Sequence, residues 1–155
     1  MNPESIMRLA LGEARAGRAK REGGPFGAVV TRNGEVVAAC HNTVAATNDP
    51  TAHAEVNAIR AACEKLGRPH LDDCELHTSC EPCPMCLGAI YWARIKAVRY
   101  AADRHDAAAA GFGDADFYGE FARPAEQRQI PFSRLMREEA AAMMREWIND
   151  PPLHY

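Results

Sequence analysis

Apolar residues recur along the start of the chain with a helical spacing and then with a strand-like one. Residues 4–21 combine good helix formers with apolar side chains three or four positions apart, and the pattern stops before Gly23-Gly24. Two apolar runs at 27–31 and 36–40 flank Asn33-Gly34, a dipeptide that accepts the positive φ of a tight hairpin turn. The sequence therefore predicts a helix followed by an antiparallel pair of strands.

Helical and strand-like patterns alternate through the middle of the chain. The predicted helices cover residues 54–66, 84–92 and 104–110, and the predicted strands cover residues 74–78 and 97–101. Helices interleaved with strands after an opening hairpin predict an α/β fold, specifically an α/β/α sandwich on a mixed sheet.

The last third of the chain has weaker patterns. A loop is predicted at 111–123, which is rich in glycine and aromatic residues. Earlier in the chain, a polar loop is predicted at 41–49. A short strand is predicted at 129–132. Ser133 is a suitable N-cap for a helix that runs to about Ile148.

Composition limits the class of protein and of partner. A chain of 155 residues is long enough for one core, and we expect a single domain over 1–155. The net charge of -3 implies no broad basic surface, so nucleic acid is not an expected partner. No run reaches the about 18 apolar residues of a membrane span. Nothing at the start resembles a secretory signal, and six cysteines then indicate a reducing, cytoplasmic setting.

Two short motifs carry the candidate chemistry. His53 and Glu55 form a His-x-Glu pattern, and Pro82, Cys83 and Cys86 form Pro-Cys-x-x-Cys. One imidazole and two thiolates supply three zinc ligands and leave the fourth tetrahedral position open, as in catalytic rather than structural zinc sites. This pair of patterns is the signature of zinc-dependent nucleobase deaminases.

Each motif taken alone has a competing interpretation. A Cys-x-x-Cys pair also serves redox chemistry, and a structural zinc site would need a second close pair. Cys40, Cys63 and Cys74 are too scattered to provide one, and we expect Cys80 to be a small core residue. The presence of the His-x-Glu motif favours the catalytic zinc site.

The chemistry explains why these residue types are needed. Removing an amino group from an aromatic carbon requires a strong nucleophile at neutral pH and a proton for the departing nitrogen. Zinc lowers the pKa of bound water toward about 7, and Glu55 is the candidate for moving the protons. Because two thiolates bring the zinc site near zero net charge, we expect the nearby base to be essential.

Longer strings around the motifs resemble one family. Two strings, residues 48–55 and 78–94, are similar to bacterial guanine deaminases of the cytidine and deoxycytidylate deaminase superfamily. The resemblance extends to residues 23–28 before them and to 106–108 and 110–118 after them. The resemblance implies a three-layer α/β/α sandwich around a five-stranded mixed sheet. It also implies a homodimer, in some members with exchange of the C-terminal segment, here about 133–155. The implied reaction is hydrolysis of guanine to xanthine and ammonia.

The resemblance also implies roles for individual residues. His53, Cys83 and Cys86 would hold one zinc ion per subunit, with Glu55 as the proton shuttle and Asp114 as a second acid near the departing amine. The residues implied to contact or enclose the base are Phe26, Asn42, Ala54, Trp92 and Tyr155.

Several other functions stay open at this point. A tRNA adenosine deaminase shares both motifs, although the chain is acidic overall and carries Phe112 in a region where those enzymes have small residues. Deamination of cytosine or of a triazine such as ammeline is a further possibility, because the pocket walls decide the substrate. From a different class, a zinc-stabilised binding module would keep the ligands without turnover.

Overall fold

The chain divides into two compact units. The N-terminal unit covers Met1–Ala115 and the C-terminal unit covers Asp116–Tyr155. The computed structural model describes residues 1–113 and 115–149. The secondary structure of the N-terminal unit follows the predicted pattern closely, whereas that of the C-terminal unit departs from it.

Helices and strands alternate in the N-terminal unit. Its helices are α1 (Pro3–Lys20), α2 (Val44–Thr47), α3 (Ala54–Leu66), α4 (Pro84–Trp92) and α5 (Arg104–Ala109). Its strands are β1 (Gly27–Arg32), β2 (Glu35–His41), β3 (Cys74–Cys80) and β4 (Ala97–Ala102). Helix α2, a single turn, lies in a segment that the sequence predicted as a polar loop.

Local residues set the ends of these helices. The Asn2 side chain accepts a hydrogen bond from the Ser5 N–H at 2.8 Å and so caps the start of α1. Gly67, with φ of 64°, ends α3 in the left-handed conformation that glycine adopts without penalty. Asp103 and Asp106 form a reciprocal capping box at the start of α5.

The four strands form one mixed sheet in the order β2-β1-β3-β4. Strand β1 is antiparallel to β2 and to β3, and β3 is parallel to β4. The predicted hairpin turn is confirmed, with φ of 52° at Asn33 and 78° at Gly34. The prediction of a fifth strand at 129–132 is wrong, since these residues form no strand. Pro131 lies inside that run and has no N–H to donate to a neighbouring strand.

Side chains of β1 alternate between two layers of helix. Ala28 and Val30 are fully buried in the main core, which includes residues of α3, while Val29 packs against Ile6 and Ala10 of α1. Helices thus cover both faces of the sheet. The α/β fold class is confirmed. Strands β2 and β3 run in the same direction and finish at the same end of the sheet, at His41 and Cys80, and each motif follows one of these strand ends in the chain.

The described part of the C-terminal unit consists of short helices and irregular segments. It contains α6 (Ala115–Ala122), which begins at the unit boundary, and α7 (Arg137–Glu146), with single 3-10 turns at Ala125–Gln127 and Trp147–Asn149. The prediction of a loop through residue 123 is wrong, because Phe117 and Phe121 share one face of α6. Helix α7 begins after Met136 rather than at Ser133. No helix in the described parts of the chain combines the length and apolar character needed to cross a membrane.

Candidate metal centre

The histidine half of the site lies at the start of α3. His53 is the N-cap residue, with extended backbone at φ -68° and ψ 155°, and its side chain makes no capping hydrogen bond. Ala54 is the first helical residue and is fully buried. Because an N-cap side chain stands beside the first turn of its helix, the imidazole lies next to Glu55, which belongs to that turn.

The cysteine half is built in the same way at the start of α4. Cys83 is the N-cap residue, with φ -65° and ψ 167°, and again makes no side-chain capping bond. Pro84 occupies the first turn, where its missing N–H costs nothing. Cys86 follows in the same turn and is fully buried. The helix start therefore presents two sulfurs toward one point.

The three predicted ligands come together. The Nδ1 atom of His53 lies 3.6 Å from Sγ of Cys83 and 3.5 Å from Sγ of Cys86. All three ligand atoms lie within 4.8 Å of one another. A tetrahedral zinc ion with ordinary Zn–S and Zn–N bonds holds such atoms about 3.5 Å apart. The donor atoms and their separations therefore fit zinc.

The two thiols are electrostatically unequal. A hydrogen bond from the Cys86 thiol lowers the pKa of Cys83 to about 4, and the nearby His53 acts in the same direction. The same contact, together with burial, raises the pKa of Cys86 above its usual range. The negative charge is thus favoured on Cys83, and a cation placed between the sulfurs favours loss of the proton from Cys86 as well.

Glu55 is buried beside the ligands. Only 5% of its surface is exposed, and burial raises the pKa of its carboxyl group. The Oγ1 hydroxyl of Thr78, itself fully buried on β3, donates a hydrogen bond to Glu55 Oε1 at 3.3 Å. A buried carboxyl group with a raised pKa takes up a proton more readily than an exposed one, which suits it to proton transfer.

An ion pair secures the cysteine loop. The carboxylate of Glu81 accepts hydrogen bonds from the backbone N–H of Arg104 at 3.0 Å and from its guanidinium at 2.5 Å. These bonds lower the pKa of Glu81. The Glu81 N–H also donates to the carbonyl of Ala102 at 2.8 Å. The loop before Cys83 is therefore tied to the end of β4 and the start of α5.

Two predicted base-contacting residues are neighbours at the end of the hairpin. The N–H of Asn42 donates to the carbonyl of Phe26 at 3.0 Å. Asn42 is 5% exposed, and its Oδ1 accepts a hydrogen bond from the Val44 N–H at 3.1 Å, which orients the amide. Gly23 packs so closely that a Cβ there would lie 2.1 Å from Asn42 Oδ1. A glycine is therefore needed beside this amide.

The Phe26 ring makes an edge-to-face contact with Phe112. Their centroids are 4.7 Å apart at an interplanar angle of 73°. Both rings line a cavity of about 150 Å³ together with Ser79 and Cys80. Phe112 had no predicted role, and its contact with Phe26 joins segments that are distant in the sequence.

Three predicted site residues remain. Trp92 is the last residue of α4 and its surface is 77% exposed. Asp114 and Tyr155 lie outside the described residues. Sequence reasoning gave no role to Thr78 or to Asn57, which lies on α3 four positions after His53. A polar residue at that spacing on a largely buried helix was the available signal.

Known proteins are similar to this chain over the segments that carry both halves of this site. Residues 1–102 match the family model described as the cytidine and deoxycytidylate deaminase zinc-binding region. Guanine deaminase of Bacillus subtilis is 54% identical over 96% of this chain and 96% of its own length. The tRNA-specific adenosine deaminase of Aquifex aeolicus is 34% identical over 95% of this chain and 94% of its own.

Solved structures agree with these matches. The X-ray structure of the Bacillus subtilis guanine deaminase is similar with a TM-score of 0.96 at 52% identity, over 100% of this chain and 99% of that one. A crystal structure of a mutant protein in complex with 8-azaguanine is similar with a TM-score of 0.71 at 35% identity, over 94% and 84% of the two chains. Family model, relatives and site geometry together place this chain in the cytidine and deoxycytidylate deaminase family of zinc-binding proteins.

Proposed function

We propose that this protein hydrolyses guanine to xanthine and ammonia, acting on the carbon–nitrogen bond of a cyclic amidine. The observation that carries the proposal is the triangle of His53, Cys83 and Cys86 with the buried carboxyl group of Glu55 beside it. The choice of guanine among nucleobases is supported by the 54% identity to Bacillus subtilis guanine deaminase and by the relative that binds 8-azaguanine.

Zinc bound by His53, Cys83 and Cys86, one ion per subunit, supplies Lewis acidity that lowers the pKa of a water molecule toward about 7. Thr78 holds Oε1 of Glu55, so we assign proton transfer to Oε2. That oxygen takes a proton from the attacking water and delivers it to the purine ring nitrogen. It then carries the second proton to the departing amine.

The base is held by residues at the end of the hairpin. In the proposal, the amide of Asn42 hydrogen-bonds the purine edge, the ring of Phe26 covers one face, and Ala54 closes the floor beside Glu55. Asp114 as a second acid and Tyr155 as a closing aromatic are proposed from the family resemblance alone. Trp92 is assigned to the wall of the pocket on the same basis.

We also propose that the active form is a homodimer that exchanges residues of about 133–155. Strand β4 is an edge strand in the described sheet, and Tyr100 on it is 51% exposed. The C-terminal unit buries none of its described side chains. Large apolar side chains there are open to solvent, including Ile130 at 73%, Leu135 at 84% and Ile148 at 79%. A second copy would cover such surfaces.

Light scattering of the full chain should give the mass of two chains. Chains carrying Glu55→Gln and chains carrying Tyr155→Ala should regain activity when co-expressed if Tyr155 completes the partner's site. A monomeric mass contradicts the dimer, and mixed chains as inactive as their parents contradict the exchange.

Ammonia release from guanine tests the function directly. The zinc-loaded protein should release ammonia from guanine, lose this activity to a chelator and regain it when zinc is returned. Adenine, cytosine, cytidine, ammeline and tRNA form the comparison panel. Faster deamination of tRNA than of guanine would favour an adenosine deaminase, and a zinc-loaded protein inert toward the whole panel would favour a binding module.

A further inference from the structure

We propose that Asn57 is a positioning residue that sets the substrate-contacting and metal-binding side chains of the site at once. This inference rests on the proposed deamination of guanine. The Nδ2 atom of Asn57 lies 3.0 Å from the carbonyl oxygen of His41, 3.0 Å from Oγ1 of Thr43 and 3.3 Å from the carbonyl oxygen of Ala52. One amide group thus reaches three acceptors from outside its own helix.

Two of these acceptors belong to the peptide groups directly before functional residues. The His41 carbonyl is part of the rigid peptide plane that leads into Asn42, and the Ala52 carbonyl is part of the plane that leads into His53. Fixing the oxygen of a peptide plane fixes the direction in which the next Cα leaves it. Asn57 therefore orients the residue proposed to read the base and the residue that binds the metal.

The acceptors stand at the two ends of one irregular segment. Between them the chain makes the single turn of α2 and further turns at residues 48–51, and no residue from 42 to 53 belongs to a strand. The Thr43 N–H closes the base of this segment by donating to the Ala52 carbonyl at 3.0 Å. Asn57 adds the bonds that attach the closed base to α3.

Helix α3 is a firm support for these bonds. Ala54 lies about one turn before Asn57 and Ala58 directly follows it, and both are fully buried in the main core. The Asn57 N–H also donates to the His53 carbonyl at 2.9 Å as part of the helix. Asn57 thereby fixes the segments before Asn42 and His53 relative to a well-packed helix.

The amide nitrogen of Asn57 supplies the donors that these three oxygens need. The reversed amide would place Oδ1 against two carbonyl oxygens, so the carbonyls fix its orientation. Its two hydrogens serve His41 and Thr43, with Ala52 as the longer and shared contact, because that carbonyl already accepts the Thr43 N–H. Aspartate has the same shape but presents lone pairs to the two carbonyl oxygens, which can only accept.

The substitution Asn57→Asp tests the proposal, with Asn33→Asp as the matched control. Asn33 undergoes the same chemical change in the exposed hairpin turn, where aspartate also tolerates a positive φ. For Asn57→Asp we expect about a tenfold rise in KM for guanine and about tenfold weaker zinc binding in competition with a chelator, in line with losses seen for residues that orient metal ligands. The control should change neither.

Wild-type KM and zinc affinity in folded Asn57→Asp protein, or a change in only one of them, would overturn the proposal. A lowered melting temperature with unchanged KM and zinc affinity at 25 °C would show a structural role and overturn it equally. If Asn57→Asp does not fold, Asn57→Ala provides the same measurements without the added charge. The chelator competition does not depend on turnover, so an absence of guanine deamination in the wild type contradicts the proposed function while zinc binding still tests Asn57.

Discussion

The two halves of the metal site have the same local construction but different anchors. Both His53 and Cys83 are N-cap residues with extended backbones whose dihedral angles differ by 12° or less, and neither uses its side chain to cap. The histidine half is attached through the neutral amide of Asn57. The cysteine half is attached through the ion pair between Glu81 and Arg104.

Because of this difference, the two halves should respond differently to pH and salt concentration. A neutral amide network among partly buried groups keeps its strength across pH and salt concentration. An ion pair whose arginine side chain is 35% exposed is screened by salt and is lost when the carboxylate is protonated. The helix starts therefore set the ligand geometry in both halves. The anchors determine how strongly pH and salt concentration affect each half.

The largest expected effect is on kcat and comes from Glu55, which is assigned to proton transfer and not to zinc binding. The substitution Glu55→Gln keeps the size of the side chain but removes its ability to take up protons. We expect kcat for guanine to fall by about a thousandfold or more, with the zinc content unchanged by metal analysis. Activity within tenfold of the wild type would show that another group moves the protons.

The next effect breaks the cysteine half itself. In Cys86→Ser the loss of one sulfur should weaken zinc binding by more than about a hundredfold, beyond the loss typical of an indirect contact. Cys80→Ser is the matched control, because Cys80 also forms a Cys-x-x-Cys with Cys83 but lies outside the ligand cluster. Equal losses in both variants, measured by chelator competition, would contradict the ligand assignment.

How much of this site the sequence predicts depends on how local the determinants are. The bounds of α3 and α4 match the prediction residue for residue, because Gly67, Pro84 and the two ligands mark the helix ends within a few positions. The ligand set was equally predictable, because the motifs that contain His53 and the two cysteines can be recognised in the sequence by their spacing.

The anchors were not predictable because they depend on how the chain closes in space. Asn57 meets acceptors 14 and 16 residues away, and Arg104 meets Glu81 across 23 residues. A polar residue on a largely buried helix was a signal for Asn57, but nothing in the local pattern names the acceptors that Asn57 or Arg104 would meet. In the C-terminal unit the glycine and aromatic content suggested a loop, while the four-residue spacing of Phe117 and Phe121 was the better signal for α6.

A smaller effect tests the anchor of the cysteine half. We expect Arg104→Gln to weaken zinc binding a few-fold, about threefold, while KM for guanine stays unchanged, because the ion pair orients only the thiolate loop. High salt should reduce the difference between variant and wild type. Arg99→Gln removes the ion pair with Glu75 on neighbouring strands and serves as the control. A raised KM in Arg104→Gln would show that the anchors are not separate.

The smallest effect concerns His41, whose carbonyl Asn57 holds. The His41 ring lies between Glu13, at 2.9 Å from Nδ1, and Glu22, at 2.5 Å from Nε2. Gly17 packs against the ring so tightly that a Cβ there would lie 2.6 Å from it. Burial alone would lower the pKa of His41, but the hydrogen bonds to both carboxylates outweigh it and raise the pKa above 6.5.

Because the pKa is higher in the folded state, the ion pairs of His41 stabilise the protein fully below pH of about 6.5 and are lost as the pH rises through the folded-state value. The free energy of unfolding in urea should therefore fall from pH 6 to pH 8 more steeply for the wild type than for His41→Gln. His105→Gln, on the exposed start of α5, is the control and should follow the wild type. The zinc affinity of His41→Gln should stay at the wild-type value, since its backbone carbonyl is retained. Parallel stability curves for wild type and His41→Gln would show that the two glutamates do not charge this histidine.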